Sequence, residues 1–241
     1  MKALMLLVAF IAPALLPTSQ VSQTPAKPDA AGEQPRTDAS IPDLLAKLKS
    51  KDKEAAGEAS DALEKRGAEA VPFLEQFLKA EKNDSYRLRA VEILGEINPD
   101  HPAIVPTLLR IAKGRSLFDS EETLMTRRAA GMLLGETPAG VRALPALLKD
   151  RDTFVRRSAA FALDDPTEVL GDLSPAQQAA IYEVMPALVE ALDDRDEVVH
   201  VMSCEVLAQI YRSKIEPLSS RAERLLKESG KSRGDCLCEC D

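Results

Sequence analysis

Apolar and polar positions along the middle of the chain repeat at helical spacing, and the clearest stripe ends on five leucines: Leu63, Leu94, Leu134, Leu163 and Leu207. Four residues before each stands a small side chain (Ala59, Ala90, Ala130, Ala159, Ser203), and one before each an apolar one (Ala62, Ile93, Leu133, Ala162, Val206). Residues three and four apart share one face of a helix, so these positions mark the buried side of five helices. Arg128 and Ser158 fall off that stripe. Eleven residues before each leucine come Asp52, Asn83, Thr123, Asp152 and Asp196. All are residue types whose side-chain oxygen accepts an unpaired N–H at a helix start. The pattern predicts five helices, each opening at one of these caps.

A second set of helices is marked by proline. Pro42-Asp-Leu-Leu, Pro72-Phe-Leu-Glu, Pro106-Thr-Leu-Leu, Pro145-Ala-Leu-Leu, Pro186-Ala-Leu-Val and Pro217-Leu-Ser-Ser recur at an average spacing of 35 residues. Each proline lies in or just before a short amphipathic helix, where a missing N–H near the start is tolerated and a deeper ring kinks the helix. Ser174-Pro175-Ala176-Gln177 has the form of a capping box, so the helix holding Pro186 starts early. Lys113 to Glu122 reads as the longest irregular connection. The last helix, about Ile215 to Lys227, turns Leu218, Ala222, Leu225 and Leu226 inward and Arg221, Glu223 and Lys227 outward.

Two helices per repeat, a capping Asp, Val-Arg, a small residue and then Ala-Leu together resemble the HEAT-repeat family in its short bacterial form. Asp152-Thr-Phe-Val155-Arg156-Arg-Ser-Ala159-Ala160-Phe-Ala162-Leu163 carries the likeness most fully, with Arg87 to Gly95 and Arg127 to Gly135 beside it. The first repeat has Ala56 in the Arg position and the fifth has His200, as terminal repeats often depart from the pattern. The resemblance implies an all-α, right-handed α-α superhelix of the HEAT/armadillo-like kind. It would have about five hairpins and a C-terminal capping helix over residues 40–228, with second helices lining the concave side. A single hairpin cannot cover both of its apolar faces, whereas stacked neighbours can.

The ends of the chain read differently. Lys2 is the only charge before Lys27, and Ala3 to Leu16 is an uncharged, largely apolar run of 14 residues. That is short for a bilayer span of about 20 residues, and it matches a secretory signal peptide over 1–16, with cleavage between 14 and 23. The expected location is periplasmic or secreted, with no membrane span after cleavage. Residues 17–39 lack apolar periodicity and read as a linker, as 229–241 read as a flexible tail. Composition narrows the class further. The formal net charge is −8, which argues against nucleic acid as a partner, since affinity there comes from Lys and Arg on phosphates. Trp is absent and aromatics make up 4%, as suits helices packed through Ala and Leu.

Candidate chemistry is sparse. No phosphate loop, Ser elbow or Cys/His pair is visible, and His101 sits in an Asn98-Pro-Asp-His-Pro turn, so the sequence reads as non-enzymatic and free of cofactors. Arg87, Arg127 and Arg156 suggest a ladder that bonds capping acids in the same or the next repeat. Two residues before each leucine come Asp61, Glu92, Met132, Phe161 and Glu205, pointing away from the buried stripe. Met132 and Phe161, with Leu88 and Met202 nearby and Glu92 and Glu205 around them, form a candidate protein-binding patch on the concave ridge. Met132 and Phe161 equally suit packing between neighbouring second helices. A rival reading rests on Cys236, Cys238 and Cys240, three thiols that could hold a soft metal, exchange disulfides or be incidental.

Overall fold

The computed structural model describes residues 39–114, 120–163 and 173–230, and every helix in it belongs to one unit spanning 38–241. Local signals set the helix starts. Ser40 caps α1 (Ile41–Lys47), and Asp52 caps α2 (Lys53–Arg66) by accepting from the Glu54 N–H at 3.0 Å. A 3-10 turn, Gly67–Glu69, leads into α3 (Val71–Ala80). Asn83 caps α4 (Asp84–Ile97), accepting from Ser85 at 2.8 Å, and α5 (Ile104–Ala112) follows. The next pairs are α6 (Glu121–Gly135) with α7 (Pro138–Leu148), and α8 (Thr153–Phe161) with α9 (Pro175–Ala191). The described chain ends with α10 (Glu197–Arg212) and α11 (Leu218–Glu228). All described elements are helical.

The helices stack as hairpins, α1/α2 through α9/α10, with α11 closing the last one. In the row of second helices α4 lies between α2 and α6, and α8 between α6 and α10. The first helices form the opposite row, and the core lies between the two. This is an α-α solenoid. All five predicted leucines are buried, as are Ala59, Ala90, Ala130, Ala159 and Ser203. Leu163 is buried although α8 ends before it. In α11, Leu218, Ala222 and Leu226 are buried against α9 and α10, while Arg221 is not simply outward. It donates to the Tyr182 carbonyl at 3.1 Å and lies over the Tyr182 ring, covering the side of α9.

Two expectations change, at Thr123 and at Ser158. Asp52, Asn83, Asp152 and Asp196 are caps as predicted, but Thr123 is not. α6 is longer at its start, so Ser120 is the cap, accepting from the Thr123 N–H at 3.2 Å, and Glu121 and Glu122 leave the expected loop for the helix. Pro186 lies inside α9, as the early start from the Ser174/Gln177 box predicts, and Pro145 likewise lies well inside α7. Those helices begin earlier, capped by Thr137 and by the Ser174/Gln177 box. Finally, Ser158 is buried at 1% exposure, because Gly131 on α6 opposes it and lets α6 and α8 close. Ser120→Ala should cost about 1 kcal/mol, a fall of about 2–4 °C in thermal midpoint, and Thr123→Ala clearly less. Circular dichroism melts check this, and equal losses would remove Ser120 as the cap.

Candidate functional site

The arginine column is a ladder between repeats. Arg127 on α6 is buried and reaches forward to Asp152, the cap of α8, at 3.0 Å. Arg156 on α8 does the same with Asp194, ahead of α10, through two bonds of 2.7 and 3.0 Å. It also donates to the Asp150 carbonyl at 3.1 Å. Its neighbour Arg157 binds Asp196, the cap of α10, at 2.8 and 2.9 Å. Hydrogen bonds from Arg156 hold the Asp194 carboxyl below its ordinary value, and those from Arg157 do so for Asp196. These bidentate contacts satisfy the cap loops while fixing the next repeat in place. Arg87 differs, pairing with Asp84 of its own helix at 2.9 Å. In the same column His200 bonds the Leu192 carbonyl at 2.6 Å. The ladder is part of the scaffold.

Both histidines and the one described cysteine are also committed to the fold. His101 Nδ1 accepts from the Ala103 N–H at 3.2 Å, which leaves Nε2 as the donor to Glu75 at 3.1 Å and ties the α4–α5 loop to α3. Cys204 is buried on α10. Among the described residues no group of His, Cys, Asp or Glu is placed to hold a metal. Cys236, Cys238 and Cys240 lie outside the described residues.

What remains is the outer side of the second helices. Met132 stands 46% exposed. Phe161 is half-buried, its ring roofed by the Arg128 guanidinium at 4.3 Å. Glu92 and Glu205 are exposed, and Met202 is half-buried against the core. Leu88 is buried at 8%, so it supplies packing and not contact surface: its isobutyl group lies against the array instead of in water. Two exposed apolar residues missed by the sequence reading join the face, Met125 at 56% and Val201 at 46%. Met125 precedes Met132 by seven residues, two helical turns, so periodicity alone could have found it. The face thus centres on α6 more than on Met132 and Phe161 as a pair.

Its charge is acidic towards one end. Glu92 and Glu96 are one turn apart near the end of α4, and Glu136 is the C-cap of α6. Partial burial pushes the Glu92 and Glu136 carboxyls up even though both residues keep solvent contact. Repulsion adds to it, from Glu136 on Glu92 and from Glu96 on Glu136, while Arg89 opposes it at Glu92.

No family model matches the chain, and no curated protein matches it. Among solved structures it is similar to a designed armadillo repeat protein in complex with the peptide (KR)4, at 18% identity over 80% of this chain and 88% of that one, with a TM-score of 0.44. It is similar also to a computationally designed armadillo repeat protein for modular peptide recognition (17%, 78% and 99%, TM-score 0.37). A third is an engineered protein from a structural genomics consortium (20%, 80% and 97%, TM-score 0.36).

Proposed function

We propose that the protein is an exported, non-enzymatic helical-repeat scaffold that binds another protein through the outer face of its second helices. One observation carries this reading: α6 exposes Met125 and Met132, two turns apart, on a side that no described helix covers. Large side chains in water gain about 25 cal/mol per Å2 of apolar surface when a partner covers them. Methionine adapts to varied partner shapes, and a surrounding ring of polar groups is the usual make-up of an interface. Export rests on Lys2 and the apolar run Ala3 to Leu16. No described helix is long and apolar enough to cross a membrane.

The double substitution Met125→Ser with Met132→Ser tests the reading. Both side chains are exposed, so the thermal midpoint should stay within a few degrees while capture of the native partner from the cell envelope is lost. Unchanged capture would sink the proposal. Thiol titration with metal analysis of the exported protein separates the rival, in which Cys236, Cys238 and Cys240 act and the solenoid presents them; stoichiometric metal or a reversible dithiol would favour it.

A further inference from the structure

The row of first helices carries a surface that the second-helix face does not explain. Between α1 and α3 runs an apolar groove of about 470 Å3, walled by Pro42, Leu45 and Ala46 on one side and Phe73, Phe77 and Ala80 on the other. α2 and α4 lie behind it, and no described helix lies over it. Phe73 is 38% exposed, more than any other described aromatic side chain. Lys49 is the one charged residue among those lining the groove, and it is already paired with Glu81 and lies over the Phe77 ring at 5.1 Å. The two ends of this face differ. Neighbouring first helices run in the same direction, so the starts of α1 and α3 lie together, and so do their ends. At the starts stand Phe73 and two exposed acids, Asp43 in the first turn of α1 and Glu69 just ahead of α3. Glu69 has only a long contact to the exposed Arg66, at 3.8 Å. At the ends stand Ala80, two turns after Phe73, and two exposed lysines in the last turns, Lys47 and Lys79. Neither lysine is ion-paired among the described residues. One end is large and acidic, the other small and basic.

Such a surface is complementary to its own copy turned end for end. We propose that two copies of the chain pair through this groove as a two-fold dimer, with α1 and α3 of one copy antiparallel to those of its partner. The two-fold axis crosses the helices midway along the groove. Each Phe73 ring then lies over the partner's Ala80, while Asp43 and Glu69 approach the partner's Lys47 and Lys79. The parallel arrangement instead brings Asp43 towards the partner's Glu69 and crowds both Phe73 rings at one end, so charge and size select the same geometry. α1 and α3 are 7 and 10 residues long, about 10 and 15 Å. The shared face is accordingly small, and pairing falls in the weak, reversible class, with a dissociation constant on the order of 10–100 μM. Pairing leaves Met125 and Met132 outside, on the opposite row, so the dimer presents two copies of that face and engages a multivalent partner with avidity. The pairing itself does not depend on what that face binds.

Sedimentation velocity on the full chain tests this at concentrations from about 1 to 300 μM, a range that brackets the expected constant. Wild type should pass from monomer to dimer across it. Phe73→Ser should weaken pairing at least about tenfold, equivalent to about 1.4 kcal/mol, with the thermal midpoint within a few degrees because the ring is partly in water. Asp43→Lys with Glu69→Lys, and separately Lys47→Glu with Lys79→Glu, should each leave the chain monomeric, since like charges now meet at both ends. An equimolar mixture of these two variants should recover the dimer, each altered end meeting an oppositely altered one. Asp43 also accepts from the capping Ser40 hydroxyl at 2.6 Å. If melting curves show the first variant unfolded, Glu69→Lys alone mixed with Lys79→Glu alone makes the same test away from that cap. A wild type that stays monomeric throughout overturns the proposal, as does a dimer that survives Phe73→Ser or either charge reversal. A mixture that stays monomeric overturns the antiparallel arrangement and the pairing with it.

Discussion

Replacing Gly135 by alanine should destabilise the protein by at least about 3 kcal/mol, lowering the thermal midpoint by roughly 6–12 °C. A Cβ built at Gly135 runs into the backbone carbonyl of Ala162, at the end of α8. No side-chain rotation relieves a clash with backbone, so α6 and α8 must separate and reopen the interface they share. Gly131, one turn earlier, would place its Cβ 2.7 Å from the Ser158 carbonyl oxygen and 2.9 Å from its Cβ, a milder overlap with a smaller expected loss. Gly57 in α2 supplies the opposite case. Nothing lies within 4 Å of its added Cβ, so Gly57→Ala should stabilise by about 1 kcal/mol through helix propensity alone. Melting curves for the three variants should rank Gly57→Ala above wild type, then Gly131→Ala, then Gly135→Ala. A wild-type midpoint for Gly135→Ala would refute the close approach of the two helices.

Arg156→Ala should cost about 3–5 kcal/mol, because it leaves the Asp194 carboxylate buried without its bidentate partner. The two side chains are only 7% and 11% exposed. Asp194→Asn should cost less, since the amide oxygen still accepts one of the two bonds. The pair also shapes the acid limb of stability. In the folded chain Asp194 and Asp196 lie below their ordinary value of 3.8, owing first to hydrogen bonds from Arg156 and Arg157. The unfolded chain takes up these protons first, so their contribution is complete above about pH 4 and is lost as pH falls through the depressed folded values. Urea denaturation at a series of pH values should show this loss in wild type and a shallower one in Arg156→Ala. Glu92 and Glu136 work the other way. Burial first raises them above 4.5, so what they contribute is greatest below that value and declines as pH rises through the raised ones. Identical acid limbs in wild type and variant would contradict the role given to Arg156.

The repeat architecture was legible because burial in a solenoid is periodic, and Leu63 to Leu207 record that period directly. Where the sequence misled, the cause was a neighbouring helix. Thr123 aligns with four true caps only if the helices are of equal length, yet α6 runs 15 residues and α8 only 9. Ser158 lies at a polar-looking position that is buried only because residue 131 has no side chain. Glycine inside a helix is by itself a cost, so the value of Gly131 and Gly135 shows only against the backbone of α8. The open face was half legible. Exposure of Met132 is legible in the sequence, Leu88 reads there as surface although it is buried, and Met125 shows only by its spacing of two turns from Met132. The acidic end was legible only as composition, since two helix ends from different repeats create it.

Among the described residues, different contacts link the successive repeats. Joining the fourth hairpin to the fifth are Arg156–Asp194, Arg157–Asp196, Arg142–Glu183 and Lys149–Glu190. Between the third and fourth are Arg127–Asp152 and the glycine-lined approach of α6 to α8. The first and second share Lys49–Glu81 and the Arg89 bonds to Leu48 and Ser50. The second and third meet on neutral apolar packing and, among the described residues, on Ser85 with Glu122 and Thr126, while Arg87 turns back into its own helix. A stacked array opens first where nearest-neighbour coupling is weakest. Among the described residues the junction of α4 with α6 is held by Ser85 with Glu122 and Thr126 and by helix packing, and it lies under the acidic end of the open face. A partner laid across that junction would act as a splint, so that occupancy of the surface and mechanical continuity of the array become one equilibrium.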